Sequence, residues 1–124
     1  MEALYYEKKA DGKAECLLCP HRCLIAPGRH GICGVRVNAD GRLDLPFYGR
    51  LSSVAVDPIE KKPLYHFHPG AQILSVGFVG CSLACPFCQN HAIAYGIDAP
   101  TRYLSPEALV DLAVEQRSIA IAYT

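Results

Sequence analysis

The sequence predicts an α/β fold in which a cysteine-rich region of loops and short strands, residues 1–70, precedes one βαβ unit, residues 71–124. Three observations lead to this prediction. Four of the seven cysteines fall between positions 16 and 33, a nearly continuous apolar run covers 73–79, and a helical segment at 105–117 separates that run from a second one at 119–124. A strand, a helix and a strand in this order are typical of a parallel crossover unit.

The composition is that of a folded protein. Of the 124 residues, 51% are hydrophobic and 19% are charged, which is enough apolar material for a core. Lys and Arg together number 12, as do Asp and Glu, so no net charge points to nucleic acid. The sequence shows neither an apolar leader nor a run of about 18 apolar residues. We therefore expect a cytoplasmic protein without nucleic-acid or membrane partners.

The first region is predicted to combine loops with a hairpin. Glycines at 28, 31 and 34 interrupt regular structure, and Asp40-Gly41 between short apolar runs is a hairpin signal. Three dipeptides that contain proline predict an ordered loop over 57–70.

The second region is predicted to form strand, helix and strand. The run at 73–79 is typical of a strand buried on both faces, as in a parallel sheet. Ser105 can cap the helix, Pro106 suits its first position, and Leu104 and Leu109 are spaced as a hydrophobic staple. A lone parallel pair has no neighbours to cover it, so we expect a fragment of a longer α/β protein that is truncated in strand two.

The second cysteine group, Cys81, Cys85 and Cys88, follows the first of these strands with the spacing C-x3-C-x2-C. Three thiolates can hold three corners of a [4Fe–4S] cluster and leave one iron open to a small molecule. The alternative is a zinc or structural iron–sulfur knuckle that takes its fourth ligand from His91 or a distant cysteine.

This spacing, with Phe87 before the third cysteine, resembles the signature C-x3-C-x-aromatic-C of the radical S-adenosylmethionine (SAM) superfamily. Residues 18–23, 31–34, 57–66 and 88–90 are similar to segments of the pyruvate-formate-lyase-activating-enzyme-like proteins. Within these, the match is to the AmmeMemoRadiSam-system radical SAM enzymes.

The resemblance implies a partial (β/α) barrel, of which this sequence holds at most the first βαβ unit. It implies that Cys81, Cys85 and Cys88 ligate a [4Fe–4S] cluster, that the open iron binds SAM, and that Phe87 lies against the adenine. Reductive cleavage of SAM would give a 5′-deoxyadenosyl radical. An electron donor such as flavodoxin or ferredoxin is implied as a partner, and related activating enzymes act on a protein substrate. The family's glycine-rich segment that holds the SAM amino group lies outside this sequence.

The first cysteine group, Cys16, Cys19, Cys23 and Cys33, predicts a separate metal site. Clustered cysteines in a reducing compartment bind metal more often than they pair, although a disulfide cluster is the alternative. Four thiolates satisfy either a zinc ion or a closed [4Fe–4S] cluster, and reduced thiols without metal are a third interpretation. Two nearby histidines, His21 and His30, are interpreted as non-ligands.

Two further function classes stay open on the sequence. One is a small electron-transfer or structural iron–sulfur protein, and the other is a zinc-ribbon interaction module, which the balanced charge disfavours as a nucleic-acid binder. Residues 60–62 could position SAM or a partner protein, or form a solvated turn. His66 and His68 are interpreted as hydrogen-bonding groups rather than as a metal pair.

Overall fold

The computed structural model describes residues 1–95 and 98–124. Its elements in chain order are β1 (Tyr6–Lys8), β2 (Ala14–Cys16), β3 (Leu24–Ile25), β4 (Val37–Ala39), β5 (Arg42–Asp44), β6 (Arg50–Pro58), β7 (Gln72–Phe78), α1 (His91–Ala94), β8 (Arg102–Tyr103), α2 (Pro106–Glu115) and β9 (Ile121–Tyr123). Short 3-10 turns lie at Ala10–Gly12 and Ile59–Lys61. Within the described residues, no helix is long and apolar enough to cross a membrane.

The N-terminal part consists of a three-stranded antiparallel sheet, β1-β2-β3, and the hairpin β4–β5. The predicted hairpin is confirmed. Its two turn residues, Asp40 and Gly41, have φ values of 52° and 84°, as a two-residue turn with positive φ at both positions requires. A small core of buried side chains joins the two parts: Ala3, Ala14, Cys16, Ile25 and Leu43.

Asn38 holds the hairpin against the first sheet. Its side chain is fully buried, and its amide nitrogen donates to the carbonyls of Gly12 (2.9 Å) and Ile25 (2.7 Å). Its amide oxygen accepts the N–H of Gly41 at 2.7 Å. Because every polar atom of this buried amide has a partner, Asn38 adds specificity to the packing without an unmet desolvation cost.

The second sheet has the order β8-β6-β7-β9. The predicted buried strand is confirmed in β7, where residues 73–77 are all buried. The sheet is mixed rather than purely parallel, because β6 pairs with β7 antiparallel, whereas β9 pairs with β7 parallel. The strand β6 pairs with β7 along most of its length, so one sheet spans both sides of residue 70.

The strand–helix–strand unit is formed by β7, α2 and β9, as predicted. Ser105 caps α2, since its hydroxyl oxygen accepts the N–H of Ala108 at 3.2 Å, and Pro106 is the first helical residue. The buried face of α2, which includes Leu109 and Ala113, packs on the sheet residues Leu51, Leu74 and Val76, with Leu104 at its edge. This packing makes the second core.

The predicted loop over 57–70 is shorter than expected, because β6 continues to Pro58. The buried carboxylate of Asp57 then draws the loop back onto the sheet. It accepts hydrogen bonds from Lys61 (2.8 Å), Lys62 (3.2 Å) and the Ser75 hydroxyl (2.7 Å). These hydrogen bonds hold the pKa of Asp57 well below its usual range, and the one from Lys61 makes the largest contribution.

The other charged residue of this turn is also engaged internally, because the Glu60 carboxylate accepts the N–H of Gly70 at 2.6 Å. The side chains of residues 60–62 thus hydrogen-bond within the protein, so this segment is not a purely solvated turn. Farther along the loop, His66 and His68 are exposed, and the rings of Phe67 and His68 meet edge to face at 4.6 Å.

Candidate metal centre at the two cysteine groups

The loop that carries the second cysteine group starts directly after β7. Gly80 turns the chain with φ 90°, and its N–H donates to the Ala94 carbonyl at 2.6 Å, so α1 lies beside the start of the loop. Within the loop, the Cys88 N–H donates to the Cys85 carbonyl at 3.1 Å. The side chains of Cys81, Cys85 and Cys88 are all partly exposed. The three thiols therefore lie in one short, hydrogen-bonded loop at the carboxyl end of a buried strand.

Tyr95 lies against this loop, and nothing in the sequence analysis identified it. Its hydroxyl donates to the Leu83 carbonyl at 2.6 Å. Desolvation, and then the negative charges of Cys81, Cys88 and Cys85, raise the pKa of Tyr95. Negative charge on the loop thiols thus disfavours ionisation of the Tyr95 hydroxyl. The α1 turn brings Tyr95 back to the loop, and such a contact has no sequence signature.

Two further features of the loop bear on ligand binding. The Leu83 N–H points at the Cys81 sulfur, with 3.4 Å between N and Sγ. Phe87 is 85% exposed, so its ring makes little contact with the rest of the described chain. His91, considered as an outside ligand, hydrogen-bonds through its ring Nδ1 to the Cys88 carbonyl at 3.2 Å.

The first cysteine group surrounds a cavity of about 530 Å³, which all four of its cysteines line. Cys16 ends β2 and is buried, whereas Cys19, Cys23 and Cys33 are half-buried. The Cys16 N–H donates to the Cys23 carbonyl at 2.9 Å, which brings these two positions side by side. All four cysteines of the first group therefore face one cavity.

The two cysteine groups, predicted as separate sites, are neighbours. Cys81 and Ser82 line the same cavity as the first group. The His21 ring Nε2 donates to the Ser82 carbonyl at 2.7 Å, a contact between residues 61 positions apart. The other histidine of this region, His30, hydrogen-bonds through Nδ1 to the Gly31 carbonyl at 2.9 Å.

Arg36 also lines this cavity, and the sequence did not indicate it. It is only 6% exposed, and its Nη1 donates to the Cys16 sulfur at 3.3 Å and to the Leu4 carbonyl at 3.1 Å. Among residues 1–95 and 98–124, no carboxylate lies within ion-pair distance of this guanidinium. A buried cation thus faces a cavity lined by thiols.

The side chains of neither group converge on one point. In the part of the chain that the structure describes, no three Cys, His, Asp or Glu side chains lie close enough together to hold a single ion. The donor chemistry nevertheless suits soft metals such as iron and zinc, because thiolates are their preferred protein ligands. A cubane cluster also binds its thiolates at separate corners, so its ligands need not meet at one point.

Comparison with known proteins adds one relative without a described function. Uncharacterized protein MJ0808 of Methanocaldococcus jannaschii is 42% identical over 125 residues, an alignment that covers 99% of this chain and 38% of the relative. The chain thus spans well under half of that protein's length. No family model matches the sequence, and no solved structure matches it.

Proposed function

We propose that this chain is the cluster-binding part of a radical SAM enzyme of the pyruvate-formate-lyase-activating-enzyme-like type, with Cys81, Cys85 and Cys88 as the cluster ligands. The observation that supports this proposal is the position of the three partly exposed thiols, in one loop at the carboxyl end of β7. Active sites of barrel and open α/β proteins lie at this end of the parallel strands.

The number of thiols is central to the proposal. Three cysteines in the loop can occupy three corners of a [4Fe–4S] cluster and leave one iron open. When bound and reduced by an external one-electron donor, such a cluster would supply the electron that cleaves SAM to methionine and a 5′-deoxyadenosyl radical. A closed electron-transfer cluster would require a fourth protein ligand, and the loop itself supplies only three cysteines.

The chain's own residues have three tasks in this proposal. The Leu83 N–H stabilises negative charge on the Cys81 sulfur, and hydrogen bonds to ligand sulfurs tune a cluster's potential. The Tyr95 hydroxyl fixes the loop through the Leu83 carbonyl. Phe87 presents an exposed ring on which a planar base can stack.

The same proposal includes the partners. SAM is the first, and a small electron-transfer protein such as flavodoxin or ferredoxin is the second. A protein substrate, as for related activating enzymes, is the third. Several apolar side chains around the two cysteine groups are more than half exposed and could meet such partners: Leu18, Ile32, Leu83 and Phe87.

Anaerobic reconstitution with iron and sulfide tests the proposal. We expect about four irons at the second group and an EPR signal after reduction that changes on addition of excess SAM. Replacing any one of Cys81, Cys85 or Cys88 with Ala should abolish this cluster, because each substitution removes a required ligand.

Two control variants make the test specific. Gln89→Ala changes an exposed residue of the same loop and should keep the cluster and its response to SAM. His91→Ala should also keep the cluster and its response to SAM. If the His91→Ala variant loses the cluster, a closed site with His91 as fourth ligand is favoured. A cysteine variant that retains the full iron content would remove that cysteine from the ligand set, and a cluster whose spectrum ignores SAM would contradict the enzyme proposal.

A further inference from the structure

We infer that Cys16, Cys19, Cys23 and Cys33 bind a second metal centre as a tetrathiolate, with Arg36 as its buried counter-cation. This centre is distinct from the cluster at Cys81, Cys85 and Cys88, and it does not depend on radical SAM chemistry. The ligand is a thiophilic metal centre that accepts four thiolates. A closed iron–sulfur cluster binds them at separate corners, whereas a zinc ion would have to draw together thiols that do not converge in the described structure.

Hydrogen-bonded turns in the backbone position the four thiols. The Arg22 N–H donates to the Cys19 carbonyl at 3.2 Å, which makes a tight turn between the second and third cysteines. The Gly34 N–H donates to the Gly31 carbonyl at 2.9 Å, which turns the chain at Cys33. Together with the Cys16–Cys23 hydrogen bond, these turns arrange all four thiols around one cavity.

The buried positive charge of Arg36 needs a compensating anion. Taking a guanidinium out of water is costly unless an anion compensates it. Here its guanidinium has a carbonyl and the Cys16 sulfur as acceptors, and a neutral thiol is a weak acceptor. Four thiolates around a divalent metal carry a net charge of −2, which would compensate the buried cation at short range.

Apolar side chains line part of the cavity. Ile25 is buried and Leu45 is half-buried, whereas Leu18 and Ile32 are more than half exposed. Arg36 and Cys16 are each only 6% exposed, so an anionic centre bound at Cys16 would attract Arg36 with less screening than in water.

The experiment uses the chain with Cys81, Cys85 and Cys88 all replaced by Ala, so that metal at the first group is measured alone. Separate samples are loaded with Zn²⁺ or with iron and sulfide, and the metal bound per chain is determined. About one zinc or about four irons per chain would support the inference and identify the centre. No stoichiometric metal in either sample would overturn it. Because the second cluster is absent here, this outcome is independent of the proposed function.

The contribution of Arg36 is tested in the same background by competition with a chelator. We expect Arg36→Met to weaken metal binding by about ten- to a hundredfold, as loss of an outer-shell partner does. Arg36→Lys keeps the positive charge and should retain most of the affinity. The matched control Arg29→Met removes an exposed arginine of the same segment and should change nothing.

Circular dichroism before loading shows whether each variant is folded. If Arg36→Met does not fold, the comparison between Arg36→Lys and Arg29→Met decides. A lysine variant that binds metal like the control would support the need for positive charge. The assignment of Arg36 as counter-cation would be overturned by a folded Arg36→Lys variant that has lost its metal affinity, or by an Arg36→Met variant that binds metal with normal affinity.

Discussion

Gly80 joins β7 to the loop of the second cysteine group, and Gly80→Ala is expected to be strongly destabilising. A Cβ atom at this position would lie 2.5 Å and 2.7 Å from the two methyl carbons of Val35 and 2.8 Å from the Cys33 carbonyl oxygen. These distances are far shorter than van der Waals contact. The Val35 side chain and the Cys33 backbone would both have to shift to make room for the new Cβ atom. The first cysteine group would therefore be pushed away from the second.

Two terms contribute to the expected loss of stability. A residue with a side chain at φ 90° is strained, by about 1–2 kcal/mol, and overpacking of a tight contact costs about 1–3 kcal/mol. The sum is about 2–5 kcal/mol, a large share of the stability of a small domain. Gly28 is the matched control, because its φ is 72° and a Cβ there would meet nothing within 4 Å. Gly28→Ala should therefore show only the strain term.

Urea unfolding of the two variants, followed by circular dichroism, measures the difference. A double-mutant cycle with Val35→Ala then isolates the clash, because that substitution removes the two methyl carbons nearest to the new Cβ. We expect Gly80→Ala to cost at least about 1 kcal/mol less in the Val35→Ala background. Equal costs for Gly80→Ala and Gly28→Ala, or no coupling with Val35, would refute the close packing of the two cysteine groups.

Two further predictions concern stability outside the cysteine groups. The stabilisation by the Asp57 carboxylate is present above its ordinary pKa of 3.8 and is lost as the pH falls, because the pKa in the folded protein is lower. Asp57→Asn should lower the free energy of unfolding at pH 7 by about 2 kcal/mol and should make that free energy fall less steeply in acid, as measured by urea unfolding over a pH series. The control Asp111→Asn, on the exposed side of α2, should have neither effect. An Asp57→Asn variant whose stability falls in acid as steeply as that of the original protein would contradict this prediction. Ser105→Ala should cost about 1 kcal/mol through loss of the α2 cap, and thermal unfolding at an unchanged midpoint would show that the cap is unimportant.

The elements that could be predicted from sequence are those with strong local signals. Ser105-Pro106 marks the start of α2, the apolar run marks β7, and Asp40-Gly41 marks the hairpin turn. The strand β6 carries a weak signal, because Ser52, Ser53 and the buried Asp57 interrupt its apolar pattern. Its position is fixed by pairing with β7, which is a tertiary effect that overrides local propensity.

The candidate site shows the same division between local and distant information. Cys81, Cys85 and Cys88 share one loop because their spacing is short, and spacing is visible in the sequence. The contact of His21 with Ser82 and the approach of Arg36 to Cys16 join residues 61 and 20 positions apart. Such contacts depend on how the sheets pack, so neither the adjacency of the two cysteine groups nor the buried cation has a local signature.

The pairing of β7 has a consequence for how the sheet can grow. The strand β6 occupies one edge of β7 and β9 occupies the other, so β7 has no edge left for another strand. The parallel pair β7–β9 can be continued only beside β9. A closed ring that begins at β7 would need a parallel strand where β6 now lies antiparallel. A sheet extended beside β9 would consequently stay bordered on its other side by the antiparallel strands β6 and β8.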